Sequence, residues 1–183
     1  LVVKLEEGVV YDPESELNID FANRSLFEIN YPVDHPFENI EINLGEGSVE
    51  MDSFTAKNIN INIESGNIRA NDTDADHSCR YSIKDGDILI SRGNYNNINA
   101  EVGNGTITFE GSIAGHDNKF NVLFGSMTIN ILKSVRLYKI YAEAKSGFVG
   151  FMGRRTTRVR EKGKPDSIEC NIEIGNMTIN LEE

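Results

Sequence analysis

Seven glycines recur along this chain at a nearly constant interval, and they constrain its fold more than any other feature. They are Gly47, Gly66, Gly86, Gly105, Gly125, Gly147 and Gly175, separated by 19, 20, 19, 20, 22 and 28 residues. Only the last two intervals are stretched. Three residues before each glycine stand Leu44, Ile63, Ile83, Val102, Val122, Ala144 and Ile172. Two residues after it stand Val49, Ile68, Ile88, Ile107, Met127, Val149 and Met177. The columns five before, seven before and four after are equally apolar, except for Asn118 and the hydroxyl tip of Tyr81. By contrast, the column four before reads Asn43, Asn62, Ser82, Glu101, Asn121, Glu143 and Asn171, polar throughout.

Alternation with period two puts the apolar columns on one face of a strand. Each repeat therefore reads as a five-residue strand, a glycine turn, a shorter strand and a polar connection of about eight residues. A single such unit cannot bury its own apolar face, so the units must stack. Equal repeat length and constant phase favour coils with strands in parallel, and the crossover rule makes such a coil right-handed. The expected fold is all-β: a right-handed parallel β-helix, or β-solenoid, of about seven ~20-residue coils. The alternative is an antiparallel β-sandwich in which each repeat is a hairpin. Residues 1–39 fit the pattern less well. Their "LNIDFANRSLFEINY" alternates around a turn that has no glycine, and reads as an irregular N-terminal cap. Residues 40–183 carry the repeats, and 183 residues suit one solenoid domain over the whole of 1–183.

The formal net charge of -11 argues against nucleic acid as a partner. No apolar run reaches the ~20 residues that span a bilayer. The sequence begins at Leu1 rather than Met, and a signal or anchor is expected upstream of it. Asparagine among isoleucines is a composition of strands and turns.

The recurring glycine and β-branched pattern of "ESGNIRA", "KDGDILI" and "GNGTITF", closed by "IEIGNMTINLEE", resembles the bacterial putative-adhesin β-solenoid family over about residues 40–183. The resemblance implies a right-handed β-helix-like fold and a place in the cell envelope. That family has no agreed catalytic residues to carry over.

Two clusters stand out as candidate sites. Asp72, Asp74 and Asp76 have the odd-position spacing of a calcium loop. The pattern then fails, with His77 where glycine belongs and Ile83 where the bidentate glutamate belongs. A solvated connection between coils is the plainer reading. Arg154, Arg155, Arg158, Arg160, Lys162 and Lys164 crowd into an insertion at about 153–166. A basic protrusion would suit an anionic envelope polymer or lipid headgroups. The plainer reading is a charge-guarded edge strand or a hairpin bulging from the solenoid. His35, His77 and His116 are scattered, without metal-ligand spacing. Cys79 and Cys170 fall in inward columns four repeats apart, too far for a disulfide, so two buried free thiols are expected.

No nucleophile has a partnered histidine and acid in register, and no outward column gathers acidic with basic groups. The expected function is a non-enzymatic envelope or surface binding module or scaffold, without a cofactor. Its expected partner is an anionic envelope polymer or another envelope protein. The alternatives are a polysaccharide-active β-helix enzyme and a homo-oligomeric structural element.

Overall fold

A computed structural model describes residues 2–6, 16–21, 26–30, 36–134, 138–161 and 166–182. Among these the chain is strand and turn, with no helix. The strands are β1 Val2–Glu6, β2 Glu16–Phe21, β3 Leu26–Asn30, β4 Phe37–Asn96, β5 Ile98–Ala114, β6 Asn118–Ser134, β7 Tyr138–Phe151, β8 Arg154–Thr156, β9 Arg158–Glu161 and β10 Asp166–Glu182. Strand β4 runs 60 residues because its backbone stays laddered to neighbouring turns while it rounds Gly47, Gly66 and Gly86.

Parallel pairing joins the units. β5 lies on β4 with Gly86 opposite Gly105, and β6 lies on β5 with Gly105 opposite Gly125. Antiparallel hairpin units, the sandwich alternative, do not form here. Antiparallel pairing occurs among the described strands only where β8 and β9 meet β7.

The corner glycines explain the interval. Gly66 has φ +151°, and a Cβ there would sit 1.5 Å from the carbonyl oxygen of Gly47. No L-residue tolerates both the conformation and the contact. The same clash recurs at Gly86 on Gly66, Gly105 on Gly86 and Gly125 on Gly105.

The ladder then leaves chain order. Gly175 stacks on Gly125 (1.8 Å from the added Cβ to its oxygen), and Gly147 stacks on Gly175 (1.7 Å). Strand β10 therefore lies between β6 and β7, parallel to both. Sequential stacking, on which the four-repeat separation of the cysteines rested, is corrected here. Cys79 and Cys170 are three units apart, roughly 14 Å at ~4.8 Å per unit, and both are free and buried. The other end shows the same device. β1 pairs in parallel with β3 on one side and with Ser48–Met51 of β4 on the other, while β2 pairs with Asn39–Leu44.

In the units of Gly47, Gly66, Gly86 and Gly105 the connection after the second strand is a third structural arm, not a loop. Ser53, Asp72 and Arg92, each six residues past a corner glycine, take left-handed φ of 54°, 47° and 58° and form a second corner. Beyond it Phe54, Ala56, Ala75, Tyr95 and Ile113 turn inward and are buried. Tyr95 pairs with Ile113 in the ladder.

All three arms enclose a continuous core from Phe37 to Leu181. Each fully buried isoleucine contributes ~1.5–3 kcal/mol from area removed from water. Two polar residues among those described are buried with this core: Thr73, whose hydroxyl donates to the Asn71 carbonyl, and Asn118, which is 1% exposed and satisfied. Its Oδ1 accepts from the Ile98 N–H at 3.1 Å. Its Nδ2 donates to the carbonyls of Gly115 and Ser167, both at 3.0 Å. One side chain thus ties β5 and β10 to the segment that starts β6.

Candidate functional site

The first arm of every unit has a polar outward residue, then an inward aliphatic, then a second outward residue before the corner. Stacking turns these three columns into the floor and walls of an open groove of about 1160 Å³. It runs across all seven units, a length of about 29 Å at ~4.8 Å per step. Leu44, Ile63, Ile83, Val102, Val122 and Ile172 lie along the floor, with their side chains turned into the core and only 1–4% exposed. One wall starts at Asn43, continues through Asn62, Ser82, Glu101, Asn121 and Asn171, and ends at Glu143.

The wall holds itself in place. Asn62 donates to Asn43 at 2.9 Å, and Asn171 donates to Asn121 at 3.2 Å. Glu101 pairs with Arg80 at 3.4 Å. Such amide rungs recur elsewhere, as between Asn58 and Asn39 and between Asn180 and Asn130, both at 2.9 Å. On the opposite wall Lys145 pairs with Glu173, while Glu64 and Lys84 are exposed and make no ion pair with a described residue.

The groove ends at a charged cluster on β7. Tyr141 donates to the Glu143 carboxylate, and Arg158 meets the same carboxylate at 2.6 Å. The tyrosine bond, then the arginine, holds the Glu143 carboxyl below its ordinary value. The bond to Glu143 raises Tyr141 in turn. A smaller pocket of about 550 Å³ opens beside them, between Lys145, Thr157 and Arg158. Acidic and basic groups therefore do gather in one outward column. The sequence reading missed this because it left unread the column two before each glycine, where Glu64, Lys84, Lys145 and Glu173 stand, and because Arg158 reaches Glu143 from a strand of its own.

The basic insertion folds back on the outer edge of β7 and closes a hairpin with it, β8 and then β9 pairing antiparallel along that edge. Arg155 lies over the Phe148 ring, 3.9 Å from its centroid. Arg158 and Arg160 flank the Tyr141 ring at 5.9 and 5.8 Å. Arg154, Arg155 and Arg160 are exposed and make no ion pair with a described residue. Lys162 and Lys164 lie outside the described residues. This is the arrangement of a covered sheet edge whose outer strands carry charge.

The three aspartates are not brought together. Asp72 occupies the second corner and pairs with Arg92 at 2.9 Å. Asp74 accepts from the backbone and side chain of Asn94, at 2.7 and 3.0 Å. Asp76 is exposed one step further along. No three His, Cys, Asp or Glu among the described residues form a metal-holding group. His77 and His116 are exposed, and His35 lies outside the described residues.

The nucleophilic side chains are in the core. Burial pushes the Cys79 thiol up to about 12 and pushes the Cys170 thiol up further. Tyr81 and Tyr95, beside Cys79, are driven well above their ordinary values by burial as well.

Residues 33–109 match a domain family of unknown function described as Toastrack DUF4097. The matched stretch holds the corner glycines from Gly47 to Gly105. Among solved structures, the chain is similar to the crystal structure of a putative cell adhesion protein from Clostridium sporogenes, with 21% identity and a TM-score of 0.34. That alignment covers 90% of this chain and 65% of the other, so the chain spans about two thirds of that protein's length. No curated protein matches the sequence.

Proposed function

We propose that the chain is a non-enzymatic, adhesin-like binding module displayed at a cell surface, with the architecture of a right-handed β-solenoid. The observation that carries this reading is the long groove. A body held by backbone ladders on every arm presents one repeated, self-bonded wall to solvent. That is a preorganised surface, which loses little entropy on binding an extended partner. The chemistry points the same way. Both thiols are buried in their protonated state. Glu143 is held ionised by Tyr141 and Arg158, the opposite of what a general acid requires. The exposed Arg154, Arg155 and Arg160 offer a second, electrostatic contact for an anionic envelope polymer.

The test is binding of the purified chain to separated envelope polysaccharide, anionic wall polymer and anionic lipid vesicles at two salt concentrations. Saturable binding to one of these is expected. A variant with Arg154, Arg155 and Arg160 changed to Ser separates the contacts, because salt-sensitive binding lost in it belongs to the hairpin. Binding to none of the three fractions would overturn the reading.

A further inference from the structure

We infer that the groove takes a neutral, hydroxyl-rich glycan chain lying along the stack axis. This rests on the reading of the chain as a binding module, and it names the ligand class and the site.

The groove offers a ligand little backbone. Its N–H and C=O groups run from unit to unit, and the parallel ladders pair them except along the column of Lys84, Gly103, Leu123, Glu173 and Lys145. A peptide laid along the axis therefore finds no strand edge to extend, which removes the usual source of its affinity. Recognition falls to side chains, and the wall still has hydrogen-bonding capacity to give. Asn62 and Asn171 each donate twice, to Asn43 and Asn60 and to Asn121 and Glu169, leaving their Oδ1 atoms as acceptors. Asn121 accepts from Asn171 and makes no hydrogen bond through its own Nδ2 to a described residue. The Ser82 hydroxyl is also free of partners among the described residues. The wall thus offers acceptors at Asn62 and Asn171, a donor at Asn121 and a hydroxyl at Ser82. A row of hydroxyl groups, each both donor and acceptor, matches such a wall.

Charge selects against polyanions. The groove holds Glu64, Glu101, Glu143 and Glu173, with Lys84 and Lys145 lining it and Arg80 and Arg158 paired to its acids. These eight charges cancel within a chain of net charge -11. A polyanion would meet no surplus of cations in the groove.

The experiment is an NMR titration of the 15N-labelled chain, reading side-chain amides. Cellohexaose, mannohexaose and N-acetylchitohexaose are the neutral probes, and hexagalacturonate is the anionic one. At least one neutral probe should shift the amides of Asn43, Asn62, Asn121 and Asn171 saturably, and the anionic probe should not. Ser82→Trp fills the groove and should weaken that binding by about tenfold or more. Thr108→Trp, outward on the second arm, should leave it within about twofold. Glu64→Trp on the opposite wall replaces Ser82→Trp if that variant does not fold.

The inference is overturned if no neutral probe moves those amides, or if hexagalacturonate moves them equally. Shifts of the same amides on dilution of the chain alone would put a second copy in the groove and overturn it too. If the chain binds an envelope fraction while these amides stay still, the groove assignment fails and the binding-module reading stands. If it binds no fraction and no probe, both fail.

Discussion

The middle of the stack and its C-terminal end use the same ladder in different ways. From Gly47 to Gly125 each unit lies on the one before it in the chain, so sequence neighbours are spatial neighbours. At the end, β10 enters between β6 and β7, and a residue of β10 meets partners 50 positions away in β6 and 28 away in β7. The difference shows that register chemistry decides which units touch. Met127, Thr128, Ile129 and Asn130 lie opposite Met177, Thr178, Ile179 and Asn180, an identical run of four residues. The arrangement also places the chain's last strand inside the stack. It leaves β7 as the edge unit, covered by β8 and β9.

The largest expected effect tests whether the ladder is equally tight in both regions. Gly86→Ala and Gly175→Ala should each lose more than about 4 kcal/mol or fail to fold, because both corners combine left-handed φ with backbone contact. Gly153→Ala, at φ +75° with nothing within 4 Å, should lose only ~1 kcal/mol. Denaturant midpoints decide this, and a mild Gly175→Ala would separate the end from the middle.

Next comes the polar clamp where chain order breaks. Asn118→Ala leaves the Ile98 N–H and the Gly115 and Ser167 carbonyls without that partner, and should cost about 3 kcal/mol. Asn121→Ala removes one part-buried rung and should cost ~1 kcal/mol or less. Equal losses would deny the junction its special role.

Alkaline pH gives a smaller, graded effect. Burial raises Cys79 from 9.0 to about 12, and raises Tyr138 from 10.0 to about 12 despite its bond to the Ile113 carbonyl. Both groups are neutral when protonated and both have raised folded values. Their stabilisation is complete below pH 9.0 and is lost as pH climbs toward 12. Denaturant midpoints should therefore fall above about pH 9, and native thiols should resist alkylation until the chain unfolds. Two thiols titrating in the folded chain at neutral pH would contradict the packing.

The smallest effect belongs to the hairpin. Glu143 has a lowered folded value, so its contribution is present above the ordinary glutamate range and is lost as pH falls through the folded value. Amide protection factors in β9, taken relative to the intrinsic exchange rate at each pH, should fall on acidification, and Glu143→Gln should remove that fall. Unchanged protection factors would make Tyr141, Glu143 and Arg158 bystanders.

Much of this fold was legible in the sequence, because burial imposes period two and the corner imposes glycine. The five apolar columns point inward as expected, and Asn118, their polar exception, is the residue with a bonding role of its own. The order of the last two units was not legible. Every apolar column fits every other, so spacing alone cannot say whether Gly125 meets Gly147 or Gly175. The third arm was hidden for another reason. Its inward positions alternate large with small, as Tyr95 with Gly93 and Ala75 with Thr73, and that dilutes the hydrophobic signal. One wall of the groove was visible as a polar column. Its acid–base end was not, since Glu143 and Arg158 meet through antiparallel pairing 15 residues apart.

The most direct test of the out-of-order stack is a surface cross-link. Asn130 and Asn180 are register partners, 2.9 Å apart between Oδ1 and Nδ2, and Asn180 is exposed. In the variant Asn130→Cys/Asn180→Cys, mild oxidation should give an intramolecular disulfide in the folded monomer. In Asn130→Cys/Met152→Cys, which chain-order stacking would make neighbours, the thiols should stay free. A disulfide in the second variant and free thiols in the first would contradict the placement of β10 between β6 and β7.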